Sequence, residues 1–301
     1  MQGKSIVVFL VVLFIVAAYV DYSQNATITG TGSPEPRIVI SLGQDLDSQG
    51  KNKVMQIFSD WQNGRDAEYI TVSNTEEREY LQGLMDERAI GTRAISSAYV
   101  ELLENSHGIE VQTKNITAIT PFMYANALTT AGIENARVIV AAPFEVSGTA
   151  ALTGITKAFE SAQGENLDEN AKKTAHQEIA ETSRLGEKIG QNSAERIIYE
   201  TKRHVLKERA TEPAEIRKIL VDVSNDLNVS LSEEDKERIV LLMQKIGQLD
   251  ISISRLNDQL RGLERNLVEL TGASREATSL FQQLIDIISR IIQNIRNTLA
   301  W

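Results

Sequence analysis

Apolar residues recur at several different periods along this 301-residue chain, and each period predicts a different kind of element. At the start, Ile6 to Val20 are apolar without a break. Lys4 stands before this run, and Asp21 is the first charge after it. Positive charge tends to stay on the cytoplasmic side of a membrane, so the pattern predicts export of everything that follows. The run is intermediate between a signal h-region and a full span, which leaves three readings: an uncleaved signal anchor, a cleaved signal peptide and a buried core helix. The anchor is preferred, because Ala17 and Ala18 are followed by Tyr19 and Val20 where small residues would mark cleavage. Asp21 to Pro36, rich in Ser, Thr, Gly and Asn, reads as a flexible stalk.

From Arg37 the period switches repeatedly. Ile38-Val39-Ile40 predicts a strand stopped by Gly43, and Lys51 to Asp60 a helix. Tyr69 to Val72 predicts a strand, followed by a helix from Thr75 to Ala89 with Asn74 as its cap and Glu77 at the capping-box position. Ala94 to Leu103 and Ile109 to Ile116 are both β-rich, and Asn105-Ser106-His107-Gly108 between them predicts a hairpin. Pro121 starts a helix running to Ala131, with Gly132 closing it. Val138 to Ala141 is wholly apolar, as a strand buried on both faces should be. The expected order β-α-β-α-β-β-α-β is a mixed sheet with packed helices.

After Phe144 the pattern is helical. Ser147 is expected to cap a helix from Gly148 to Ala162. A second helical stretch runs from Leu167 to Lys207, broken near Gly186 and Gly190. Thr211 and Pro213 start a third, and Ser232 with Asp235 caps a fourth. Apolar positions then fall at alternating spacings of three and four: Ile239, Leu242, Ile246, Leu249, Ile253, Leu256, Leu260, Leu263, Leu267 and Leu270. That is a heptad pattern, and Ile at a with Leu at d favours parallel pairs. Ile246, Leu249, Ile253, Leu256, Leu260 and Leu263 are the candidate self-association residues. The alternatives are an antiparallel hairpin turning at Gly272-Ala273-Ser274, packing on the body, and membrane contact. Leu280 to Trp301 has a wide apolar stripe but few opposing charges, which favours packing over an interfacial helix.

The fold class expected is therefore α/β, a mixed sheet with packed helices, followed by an all-α C-terminal region with long heptad-repeat helices. The domain reading is 1–22 signal anchor or signal peptide, 23–37 stalk, 38–165 α/β domain, 166–238 helical region and 239–301 heptad helices or helical hairpin.

Composition sharpens this picture. The chain has no cysteine, which excludes disulfides, a lipoprotein anchor, thiolate zinc sites and cysteine nucleophiles. Net charge is −10. An acidic body argues against nucleic-acid binding, which needs a basic face. Sequons at Asn25, Asn115 and Asn228 are close to chance in number.

Two stretches carry a resemblance. One is Val72-Ser73-Asn74-Thr75-Glu76-Glu77-Arg78-Glu79-Tyr80-Leu81 with Ile90-Gly91-Thr92-Arg93-Ala94-Ile95-Ser96-Ser97. The other is Thr120-Pro121-Phe122-Met123-Tyr124, then Ala127 to Ile133, continuing into Ala141 to Gly154. Over Val39 to Leu249 the chain resembles the YpuA-like secreted proteins of unknown function, domain-of-unknown-function family one-thousand-and-two. The resemblance implies an extracytoplasmic protein and no established activity, so it carries over no catalytic residues.

One constellation could carry chemistry. Pro143-Phe144-Glu145-Val146-Ser147-Gly148-Thr149 joins an apolar strand to a helix N-terminus, where backbone N–H groups and the helix dipole favour an anion. Ligands in open α/β sheets gather beyond such strand ends. Ser147, Gly148 and Thr149 with Arg93 form the candidate anion site; the alternative is an ordinary cap with tight strand-to-helix packing. His204 lies between Glu200 and Glu208, and His176 lies near Glu178 and Glu181, at spacings that usually mark salt-bridge ladders. The chain has no His-Glu-x-x-His motif and no Gly-x-Ser-x-Gly elbow. The expectation is an envelope protein with a binding or assembly role, without metal or cofactor. It would be attached to the membrane through its N-terminal segment and able to form a homo-oligomer through the heptads. The alternative is an anion-binding or hydrolytic domain centred on Ser147.

Overall fold

In a computed structural model, the described residues are 37–104, 107–249 and 251. The N-terminal apolar run, the stalk and the heptads from Ile253 onward lie outside them. Among the described residues, no helix is long and apolar enough to cross a membrane.

Five strands form one mixed sheet in the order β2-β1-β3-β5-β4. They are β1 (Ile38–Gly43), β2 (Glu68–Val72), β3 (Ser97–Leu102), β4 (Ile109–Ile116) and β5 (Ala136–Val146). β1 runs parallel to β2, with Ile40 opposite Tyr69, and antiparallel to β3, with Ile40 opposite Tyr99. β5 runs antiparallel to β3 and parallel to β4. The expected hairpin of β3 with β4 is therefore wrong, because β5 lies between them. The physical reason is burial. Val138 to Ala141 is apolar toward both faces, which only a central, doubly covered strand can satisfy. β4 alternates buried and half-exposed positions and takes the edge.

Period-2 alternation sorts the strand residues onto two cores. Ile38, Ile40, Leu42, Tyr99, Ile139 and Ala141 face helix α1 (Ser48–Gln62), packing on Val54 and Phe58. Val39, Ala98, Val100, Val138 and Val140 face the opposite way, onto α4 (Pro121–Thr130) and α5 (Thr149–Gln163). α5 approaches β1 closely at Gly154, where a Cβ would lie 2.5 Å from the Ser41 hydroxyl. Between β2 and β3 stand α2 (Asn74–Leu81) and the short α3 (Glu87–Ile90), where one longer helix was expected.

The remaining helices are α6 (Glu169–Ile189), α7 (Gln191–Glu208), α8 (Pro213–Asp226) and α9 (Glu233–Gly247). Gly190, with φ of +87°, separates α6 from α7, while Gly186 stays inside α6. α8 starts with Pro213 in its first turn, but its cap position is Glu212 rather than Thr211. Ser232 caps α9 by accepting from the Asp235 N–H at 3.1 Å, as the sequence suggests. α6 to α9 enclose a second core that includes Leu185, Ile198, Leu206, Ile216, Leu220, Ile239, Leu242 and Ile246. The first three heptad positions thus pack inside the body, and Ile246 is 0% exposed. α9 ends at Gly247, so the regular heptads do not continue as one helix through Gln248 and Leu249.

A buried ion pair between α6 and α7 lies where α4 packs on them. Lys202 on α7 is 0% exposed. Its ammonium donates to the Asn126 carbonyl at 2.8 Å, the Asn126 side chain at 2.9 Å, the Thr130 hydroxyl at 2.7 Å and Glu178 at 3.0 Å. Glu178 also accepts from Asn126 at 2.7 Å and from Thr130. Helices α4, α6 and α7 meet there. Removing one partner leaves the other charge buried and alone, which costs about 3–5 kcal/mol. Lys202→Met and Glu178→Leu should each lose about that much in urea denaturation, and the double variant much less than their sum. Strict additivity would show that the two charges do not act as a pair.

Candidate functional site

The sheet-to-helix junction predicted from the sequence opens onto a cavity of about 230 Å³. Its walls include Arg93, Ser147, Gly148 and Thr149, together with Arg88, Ser96, Phe144 and Glu77. The four expected residues are thus brought together, although they come from two segments more than fifty positions apart.

The junction is held from several sides. The end of β5 is tied to β4 by Thr117, whose N–H donates to the Val146 carbonyl at 2.9 Å. The β4 ladder shifts register between Lys114 and Ile116, where Asn115 takes φ of +61° and its side-chain amide donates to the Ala142 carbonyl at 2.7 Å. Beyond β5, Gly148 has φ of +98°, a conformation open to glycine at little cost. A Cβ there would come within 2.5 Å of both Ile116 and the Tyr124 hydroxyl. The absent side chain lets that buried hydroxyl donate to the Gly148 carbonyl at 2.6 Å.

This geometry corrects the expected cap. Helix α5 begins at Thr149, with Gly148 at the cap position and no side-chain cap. The positive φ of Gly148 carries Ser147 out of the capping position. Its Oγ instead sits 3.1 Å from the Thr149 Oγ1. Of the first-turn donors, the Ala151 N–H is taken by the Ser96 hydroxyl at 3.0 Å. The opposite wall is braced by Arg78, which donates to Glu87 at 2.7 Å and to the Gly91 carbonyl at 2.8 Å, holding α3 and its following loop. Arg88 and Arg93 are exposed at this rim and form no ion pair among the described residues. Phe144 is 50% exposed beside them.

Glu77, like Arg88 and Ser96, is a cavity residue that sequence reasoning missed. The sequence pattern makes it the capping-box acid of a helix capped by Asn74. The cap is Ser73, which accepts from the Glu76 N–H, while the Glu76 carboxylate accepts from the Ser73 N–H at 2.8 Å. Ser73-x-x-Glu76 and Asn74-x-x-Glu77 fit the motif equally well in the sequence, and the one-residue shift decides which glutamate turns inward. Glu77 is 0% exposed. Its Oε2 accepts from Asn74 at 3.1 Å, and its Oε1 has no hydrogen-bond partner among the described residues.

The histidine groups resolve differently. Glu200 pairs with Arg203 at 2.8 Å, and His204 reaches Glu208 at 3.3 Å. His176 is fully buried and stacks on Tyr80 with ring centroids 4.4 Å apart, while Glu178 turns to Lys202 and Glu181 to Arg184 and Arg238. Among the described residues, no three His, Asp or Glu side chains converge on one point. The cavity walls contain no histidine, so Ser147 has no imidazole beside it to act as a base. The arrangement suits recognition: hydroxyls, a helix N-terminus and arginines as donors, one buried carboxyl as acceptor.

Residues 42–263 match the family described as "Protein of unknown function (DUF1002)". The uncharacterized protein YpuA of Bacillus subtilis (strain 168) is 39% identical over 255 residues, which cover 84% of this chain and 87% of that protein. No solved structure matches the chain.

Burial pushes the Glu77 carboxyl above its ordinary value of about 4.5, more than Thr149, Asn74 and Arg78 pull it down. The folded protein therefore holds that proton more tightly than the unfolded chain. Stability from this group is present at acid pH and is lost as pH rises from the unfolded value toward the folded one. Glu77→Gln keeps the shape without the charge. It should gain on the wild type through that window in urea denaturation, and the gain should level off on both sides. A difference independent of pH would show that Glu77 titrates alike in both states.

Proposed function

Since the chain belongs to the DUF1002 family of proteins of unknown function, we propose that it is an extracytoplasmic binding protein of the cell envelope. The observation that carries the reading is the cavity at the β5–α5 junction, which gathers Ser147, Gly148, Thr149 and Arg93 around a helix N-terminus. A small ligand presents an anionic group to those donors, and the role is binding rather than catalysis. The N-terminal apolar run exports the body and holds it at the membrane. The heptad residues Ile253, Leu256, Leu260 and Leu263 associate with a second copy, in long helices that follow the body.

Two measurements test the two halves. Inorganic phosphate or acetate at ten times its Kd should stabilise the protein by about 1.4 kcal/mol. For a body of this size that raises Tm by about 3–6 °C. Ser147→Ala and Arg93→Ala should reduce that shift, and a shift unchanged in both places the anion elsewhere. For assembly, light scattering on residues 25–301 should give a multimer that becomes a monomer when the chain ends at Ile251. The cut spares α9, because Ile239, Leu242 and Ile246 belong to the second core. Equal masses for the two chains would remove the assembly role.

A further inference from the structure

We infer that the occupant of the cavity is a small zwitterion of the α-amino acid type, with its ammonium on Glu77 and its carboxylate on the N-terminus of α5 beside Ser147 and Thr149. This rests on the reading of the cavity as a binding site and names the second charge of its ligand.

The first observation is the orphaned acceptor. Glu77 is among the residues that line the cavity, it is buried, and its Oε1 has no hydrogen-bond partner among the described residues. A buried acceptor left unmade costs about 1–3 kcal/mol, and more when charged. A donor arriving in the cavity removes that cost, and an ammonium also compensates the charge.

The second is the sign of everything else around the cavity. Glu77 is the one acid among its lining residues. The other polar groups are the hydroxyls of Ser96, Ser147 and Thr149, the start of α5, where Ser96 already takes the Ala151 N–H, and Arg88 and Arg93 at the rim. A plain anion would set its charge against Glu77. A plain cation would set its charge against two arginines and the positive end of a helix dipole. A ligand with one charge of each sign satisfies both walls.

The third is spacing. Thr149 is the first residue of α5, and its hydroxyl lies close enough to Glu77 to influence the carboxyl. The two binding poles are therefore adjacent, which matches an ammonium and a carboxylate on one carbon rather than at the ends of a long chain. The cavity holds about 230 Å³, room for an amino acid with its side chain against Ile95, Phe144 and Val146.

The test uses the full-length chain and the common amino acids in both enantiomers, titrated calorimetrically near neutral pH. The same compounds are then titrated as N-acetyl derivatives, which lack the ammonium, and as amides, which lack the carboxylate. At least one amino acid should bind, and either blocked form should bind about 10- to 100-fold more weakly, as expected for losing a charged hydrogen bond. Glu77→Gln should weaken the free amino acid by a similar factor and leave its N-acetyl form unaffected. An N-acetyl form that binds the wild type as tightly as its parent overturns the zwitterion while leaving an anion site intact. Failure of every amino acid, every N-acetyl form and inorganic phosphate to bind overturns both readings. The comparison of free and blocked ligands is made on the wild type, so it does not depend on how the variant folds.

Discussion

The buried contact of Lys202 with Glu178 is the constraint on which the rest of the body depends. The sheet, α4, α5 and the first half of α6, with Ala175 and Ile179, form one core, and the end of α6 with α7 to α9 forms another. With no cysteine in the chain, no disulfide can hold the two together. An apolar seam alone would tolerate sliding of one against the other. The ammonium of Lys202 does not, because its acceptors sit on α4 and α6 and must be matched together. A buried pair of this kind repays its own desolvation poorly, so its contribution lies in fixing one alignment rather than in net stability. Beside it, Phe122 of α4 meets Tyr199 of α7 edge-on, with centroids 5.6 Å apart, adding apolar contact across the same seam.

That alignment positions the site at one remove. Tyr124 lies on α4, two residues before Asn126, and its hydroxyl holds the Gly148 carbonyl. The seam that locks α4 against α6 and α7 therefore also steadies the glycine from which α5 departs. The cavity is built on the rigid end of the sheet, with Arg78 bracing the loop on its far side.

The sequence made most of the elements legible because their local signals agree with their burial. Short β-rich and wholly apolar runs marked β1, β3 and β5 as strands, and Ser232 with Asp235 announced the start of α9. Two failures have clear causes. The β3–β4 hairpin follows from local turn chemistry, but pairing was decided by which strand needed both faces covered, a property of the whole sheet. The heptad reading treated Ile239 to Leu270 as one continuous stripe. A buried helix face and a coiled-coil seam share that spacing, and only tertiary contacts show that Ile246 belongs to the body. The site was half legible. Strand end, glycine and helix start are local features, so Ser147 to Thr149 could be read directly. Arg93 is joined to them in the sequence only by its charge. Glu77 could not be read, because which of two adjacent glutamates turns inward depends on a cap that two overlapping motifs satisfy equally.

The ion pair also sets an order of events during synthesis. A chain is made from its N-terminus, and early regions begin to fold before late ones exist. Every strand of the sheet, and both helices on its inner face, are complete by Gln163. Asn126 and Thr130 are by then in place on α4, but Glu178 and Lys202 are not yet made. The nascent sheet layer thus waits with polar groups on the surface it must later bury. Once Glu178 emerges, that surface holds a carboxylate whose cation is 24 residues away. That part of the surface acquires its full set of partners only when α7, which carries Lys202, has been made.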